Sequence, residues 1–172
     1  MKKSKLRDIY ESIRYECQDY DIYEDCINRM KNAAESDPVE FEDLINLLSE
    51  EKYEGNKLTL AEVLVLLKWM PIKNILHELI EKSCDLGNKI EAIEYLVDMR
   101  DERAIDYIIN TTQEAYEKKD NHYLISAAIT LLRLENKKGT QAFLKLVNKY
   151  EELKKYCEGK EFFKEVKKLA NE

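Results

Sequence analysis

A pattern of apolar and polar positions recurs along the middle of the chain, and a chain that repeats itself at a fixed spacing has few architectures open to it. The segment Ala92 to Ile109 reads AIEYLVDMRDERAIDYII, and thirty-five residues later Ala127 to Leu144 reads AAITLLRLENKKGTQAFL, with the same order of small, apolar and polar positions. Twenty-nine residues before the first copy, Val63 to Ile80 follows the pattern more loosely, placing Leu67, Met70, Ile75, Leu76 and Leu79 on Leu96, Met99, Ala104, Ile105 and Ile108.

Each copy divides into an apolar helix, a short polar turn and a second helix with apolar residues at i, i+3, i+4 and i+7. These are Ile105, Ile108, Ile109 and Thr112 in one copy, and Phe143, Leu146, Val147 and Tyr150 in the next. A two-helix unit with one apolar face cannot hide it alone, so neighbouring units must stack, and this spacing suits a helical solenoid. Composition agrees: 44% hydrophobic and 37% charged residues with only four Gly and two Pro favour long amphipathic helices over loop-rich coil.

The run Ala92 to Ile109, with Leu96 and Met99 before the turn, Asp101 within it and Ala104-Ile105 opening the next helix, resembles the HEAT-like repeats of the phycobilisome-lyase type. The resemblance covers residues 60 to 150 and implies a right-handed α-α superhelix whose inner surface is lined by the second helix of each pair. The sequence departs from that pattern at Trp69-Met70-Pro71-Ile72, which replaces the polar turn, at Gly139-Thr140, which replaces the Ala-Ile pair, and at Asn136, where the family often has Asp.

Outside the repeats, helix starts are legible. Asp37-Pro38-Val39-Glu40 offers a capping Asp, a Pro preset for the first turn and a Glu able to reach back to the cap, and Thr59-Leu60-Ala61-Glu62 is a second such box. Asn88, Asp101 and Asp120 are further cap candidates. The expected fold is all-α, a HEAT-like solenoid of about ten helices near residues 4–18, 20–35, 38–51, 59–70, 72–84, 89–99, 102–118, 121–134, 138–154 and 160–170. It is expected to form one domain, with irregular helix pairs over 1–58, HEAT-like pairs over 59–154 and a C-terminal capping helix over 155–172.

Cys17, Cys26, Cys84 and Cys157 have no metal-type or redox-type spacing and suit reduced thiols. No apolar run approaches a membrane span and the lysine-rich start leads into no apolar leader core, so a cytoplasmic location away from membranes is expected. The net charge of −7 conceals an asymmetry: residues 1–120 carry 28 acidic against 17 basic side chains, while 121–172 carry 7 against 11. An acidic field repels phosphate backbones and attracts basic proteins, which disfavours nucleic acid as a partner.

Residues suited to catalysis are few. His77 and His122 form no metal-binding pair, no glycine-rich phosphate loop or nucleophile elbow occurs, and Cys17, Cys26 and Cys84 each adjoin a carboxylate that opposes thiolate formation. No catalytic, metal or cofactor residue is therefore assigned, both histidines are expected on the surface, and the chain is read as a non-enzyme. Two surfaces suit protein binding instead. The acidic stretch from Asp8 to Asp25 interleaves tyrosines with carboxylates and supplies Tyr10, Glu11, Tyr15, Asp19, Tyr20, Asp21, Tyr23 and Glu24 as candidate contacts, although Ile9, Ile13 and some of the Tyr rings equally suit a core. On the second helices, Asp106, Asn110 and Glu114 are candidates, with Gln141, Lys145 and Lys149 thirty-five residues on, so that a groove would run from acidic to basic or would be an ordinary solvated face.

The expected function is a bacterial immunity protein, an antitoxin-like inhibitor that neutralises a basic toxin, such as a nuclease of contact-dependent growth inhibition, by direct binding. The alternative is a HEAT-like regulatory scaffold or assembly factor. A more remote one is a nucleic-acid-binding HEAT-like enzyme, for which the lysine-rich C-terminal run is the encouragement.

Overall fold

The protein is all-α in the computed structural model, which describes residues 4–14 and 19–171. Among these are eleven α-helices and no strand: α1 (Lys5–Ile13), α2 (Tyr20–Ser36), α3 (Pro38–Glu50), α4 (Glu54–Leu66), α5 (Ile72–Lys82), α6 (Leu86–Asp98), α7 (Ala104–Glu117), α8 (Asn121–Thr130), α9 (Lys137–Lys149), α10 (Glu151–Cys157) and α11 (Glu161–Asn171). A short 3-10 turn, Leu131–Leu134, continues α8. The chain packs as two compact units, Met1–His77 and Glu78–Glu172. The division falls inside α5, not at the change of sequence character near residue 59.

In the first unit α1 packs on α2 and α3, and α2 also covers α3 and α4. Leu6, Tyr10, Met30, Leu44, Leu58 and Leu64 are fully enclosed there. Asp37 accepts the Val39 N–H and Pro38 opens α3, as the sequence suggests. Glu40 does something else. Its carboxylate crosses to α1 and accepts from the Lys5 N–H at 3.0 Å, the Leu6 N–H at 2.8 Å and the Ser4 hydroxyl at 2.7 Å, so one helix caps another. The second box differs too: α4 begins at Glu54, and Thr59 lies inside it, donating back to the Gly55 carbonyl at 3.2 Å.

In the second unit the repeat becomes a set of contacts. The pair α6 and α7 stacks on the pair α8 and α9, first helix against first and second against second. Residues thirty-five apart in sequence meet in space: Arg133 clasps Asp98 at 2.8 and 2.9 Å, and Arg100 reaches Glu135 at 3.6 Å. Arg100 also donates to the Leu134 carbonyl at 2.9 Å. Ala92, Ile93, Leu96, Ile108, Ala127, Ala128 and Phe143 fill the space between.

Three helices close in the same way. At the ends of α4, α6 and α7 the residues Lys68, Arg100 and Lys119 take φ of 55°, 53° and 57°, and the N–H groups there bond back to carbonyls of the last turn, as Arg100 does to Val97 and Asp101 to Leu96. These turns correct the loosest sequence alignment. Lys68 corresponds to Arg100 at an offset of thirty-two residues, not twenty-nine, which matches buried Leu64, Ile72 and Leu76 with buried Leu96, Ala104 and Ile108.

Gly139 has a steric reason to stand where Ala104 stands in the preceding copy. A Cβ at position 139 would lie 2.5 Å from the Leu131 carbonyl oxygen and 3.1 Å from the Leu134 Cβ. The helix expected over 138–154 is also interrupted: Tyr150 is extended, its ring is buried against Tyr116 at 4.8 Å, and its hydroxyl donates to Gln113 at 2.5 Å. That inward anchor breaks α9 from α10.

Two substitutions test these backbone constraints. Gly139→Ala should lower the stability of the chain by about 1 to 3 kcal/mol, because the obstructing atom is backbone. Lys119→Gly, which relieves an exposed left-handed residue, should raise it by about 0.5 to 1 kcal/mol, both read from urea unfolding monitored by circular dichroism.

Candidate protein-binding surfaces

A buried carboxylate is the first place to look for chemistry, and Glu51, 6% exposed, is the most enclosed one described. It follows α3 and gathers donors from three directions. The Tyr10 hydroxyl donates to it, Arg14 lies at 3.2 Å, the Lys52 and Tyr53 N–H groups donate at 2.8 and 3.0 Å, and the Asn56 amide donates at 3.3 Å. Burial by itself raises a carboxyl pKa, but the hydrogen bonds from Tyr10, Tyr53 and Lys52 and the charge of Arg14 outweigh it and hold Glu51 at about 2. Burial and the same contact push the Tyr10 phenol upward. A carboxylate ionised throughout the neutral range, with its lone pairs occupied, is a structural junction and a poor general base.

The histidines and thiols are placed differently from one another. His77 is buried, 5% exposed, which corrects the expectation of a surface histidine, whereas His122 is exposed. Cys26 and Cys157 are buried and Cys84 is exposed, all three as free thiols, and burial raises the Cys157 pKa. Cys17 lies outside the described residues. Among the described residues no three His, Cys, Asp or Glu side chains converge as a metal site would require, and no helix is long and apolar enough to cross a membrane.

The surfaces are more informative. Asp19 caps α2 by accepting the Asp21 and Ile22 N–H groups at 3.1 and 3.2 Å, which fixes the first turn of the helix. From there Asp21, Glu24 and Asp25 follow at i, i+3 and i+4 along the outer face. On its two shoulders stand Tyr20, 74% exposed, and Ile22, 53% exposed. Asp25 holds Arg29 one turn along at 3.4 Å, and large apolar groups this open beside the carboxylates form an acidic ridge of interface composition. Tyr23 is half-buried and donates to Glu62 at 2.7 Å, so it braces the ridge from below. Glu11 is exposed beside Arg14 at 3.2 Å. Tyr10 is the exception among the candidates: 1% exposed and bonded to Glu51, it belongs to the core and offers no contact surface. Tyr15 lies outside the described residues.

In the second unit, α7 and α9 lie side by side and leave a groove of about 440 Å³. Its floor is Ile105, Ile109, Ala142 and Leu146, and its rim is Lys138, Lys145 and Lys149 with Gln141. Ile105 and Ile109 are only half-buried, which corrects the expectation that they face the core; α7 buries Ala104, Ile108, Thr111, Thr112 and Ala115 instead. One end meets a hollow of about 350 Å³ that shares Ile105 and Lys138 and adds Arg100, Asp101, Asp106 and Asn136. Asp106 thus sits at the acidic end and Asn110 is exposed on the same helix. Glu114 is drawn away: it binds Lys89 at 2.5 Å and Lys118 at 2.8 Å, and despite the opposing effect of burial these lysines lower its pKa.

The floor of this groove escaped the sequence reading, yet a signal existed. Apolar and small residues on α7 occupy 104, 105, 108, 109, 111, 112 and 115, an arc wider than one buried stripe needs. These features define an all-helical protein whose distinctive chemistry lies in two surface patches of opposite charge. No family model, curated protein or solved structure matches the chain.

The Glu51 junction makes the first unit acid-sensitive. Its folded pKa of about 2 lies below the ordinary carboxyl value, so its contribution is complete above about pH 4.3 and is lost as pH falls toward 2, a loss of up to about 3 kcal/mol. Glu51→Gln should destabilise the chain by about 2 to 4 kcal/mol at pH 7 and flatten the stability profile between pH 4 and 2, measured by denaturant titration across that range.

Proposed function

We propose that the chain is a non-enzymatic protein-binding module that acts in the cytoplasm, and that its concrete role is to neutralise a basic toxin by covering it, as a bacterial immunity protein does. The observation that carries this reading is the acidic ridge on α2, where Tyr20 and Ile22 stand exposed beside Asp21, Glu24 and Asp25. Aromatic and aliphatic shoulders supply desolvated contact area, while the carboxylates steer a cationic partner and exclude an anionic one. The free thiols of Cys26, Cys84 and Cys157 support a reducing compartment. The occupied lone pairs of Glu51 support binding over proton-transfer chemistry.

A second reading, a HEAT-like regulatory scaffold, draws support from the stacking of α6 and α7 on α8 and α9, the contact pattern from which a right-handed superhelix is built. The two readings part on partner chemistry. An immunity protein takes one toxin at high affinity, whereas a scaffold takes its partners over the repeat surface.

Coexpression with the product of the neighbouring gene tests the first reading. Growth should be rescued, and the pair should co-purify in an association that weakens with salt. Asp21→Lys with Glu24→Lys should weaken it by at least about a hundredfold, chiefly through the association rate. Toxicity unchanged by coexpression, or binding insensitive to both substitutions, would count against the ridge as the inhibitory surface.

A further inference from the structure

The second unit carries a surface opposite in sign to the rest of the chain. Helix α9 reads KKGTQAFLKLVNK and contains four lysines and no carboxylate, in a protein of net charge −7. Lys138, Lys145 and Lys149 are exposed along the rim of the groove between α7 and α9, above the half-buried Ile105, Ile109 and Ala142. Neither Lys138 nor Lys145 has an ion-pair partner among the described residues, and Lys149 is held by the neutral Gln113 amide oxygen at 2.7 Å. An apolar floor with a cationic rim is complementary to a short helical segment that presents carboxylates beside an aromatic or aliphatic group.

The chain itself displays such a segment. The start of α2 exposes Tyr20 and Ile22 beside Asp21 and Glu24, neither of which has an ion-pair partner among the described residues. The spacings also match. Lys145 and Lys149 are four residues apart on α9 and Asp21 and Asp25 four apart on α2, each pair separated by about 6 Å along its helix axis. Asp25 also holds Arg29 at 3.4 Å, an exposed pair that leaves its second oxygen open to a further cation. We propose that the groove between α7 and α9 receives the start of α2 from a second copy of this chain, with the Tyr20 ring over the floor and Asp21 and Asp25 against Lys145 and Lys149.

The contact joins two different patches and is therefore heterologous, so association continues into rings or open chains unless a copy lacks one of the patches. It buries little area and relies on exposed charges, so it is weak, in the micromolar range or above, and screened by salt. It also covers the ridge. Self-association then competes with any basic partner of that ridge, but it does not depend on such a partner existing.

Sedimentation velocity of the purified chain tests this without any partner present. The sedimentation coefficient should rise with concentration at low ionic strength and return toward the monomer value at high salt. Two doubly substituted chains make the test specific: Lys145→Gln with Lys149→Gln removes the rim, and Asp21→Asn with Asp25→Asn removes the ridge. Each alone should stay monomeric at concentrations where the parent chain associates, with unchanged circular dichroism because only exposed side chains are altered. Mixed together, they should form a one-to-one dimer and nothing larger, since one intact groove and one intact ridge remain. A parent chain that stays monomeric throughout, association that survives both sets of substitutions, or a mixture that fails to pair would overturn the proposal. Failure here leaves the binding of a basic partner by the ridge untouched, because that is read separately by co-purification.

Discussion

A carboxylate removed from water must find its donors in the fold, and in the first unit that requirement falls on Glu51. The phenol that satisfies it comes from α1, the amides from the turn after α3 and the side-chain amide from α4, so one ionised group ties together elements far apart in sequence. An unpaired buried charge costs several kcal/mol, which makes any other arrangement of these elements expensive. Glu40 adds a second tie by capping α1 from α3. With α1, α3 and α4 held this way, α2 packs across all three and its first turn projects into solvent. The ridge is exposed because the frame beneath it is closed by polar contacts as well as by apolar ones.

The second unit solves a different problem. Its helix pairs each have one apolar face to hide, and stacking hides it only where pair meets pair. The register of that stack is set by directional contacts between equivalent positions, Asp98 with Arg133 and Arg100 with Glu135, and by close approach at Gly139. The exposed ion pairs contribute little to stability on their own; they select among registers that the apolar faces would accept. Two neighbouring second helices of finite width then leave a furrow between them. Ile105 and Ile109, on the shoulder of α7 and not on its buried stripe, become its floor.

How much of this was legible in the sequence depended on whether the deciding contact was local. The helical class, the Asp37 and Asp120 caps and the thirty-five-residue repeat follow from spacing alone, because caps and periodicity act within a few residues or recur at fixed ones. The Glu51 junction was invisible: Tyr10 and Glu51 are separated by forty-one positions, and among so many carboxylates nothing marks this one. The same holds for the break at Tyr150, whose cause is Gln113 on another helix and not a glycine or proline. The early start of α4 and the thirty-two-residue offset at Lys68 are not legible because apolar residues there match more than one register, and only the left-handed turn distinguishes them. Of the exposed acidic ridge, Asp19 to Glu24 could be read from composition, but the demotion of Tyr10 to core could not, since a tyrosine suits either place until its partner is known.

Net charge is therefore a poor guide to what this chain meets. The value of −7 is a difference between an acidic first two-thirds and a basic remainder, and at physiological ionic strength charges act over only about 8 Å. The first turn of α2 presents mainly carboxylates and the rim of α9 mainly lysines, whatever the total. Because each patch also exposes apolar groups, charge would govern selectivity in any contact made there while apolar atoms would supply most of the free energy. Two such patches of opposite sign on one chain are complementary to each other, and any contact between copies that draws on both would leave neither free for another partner.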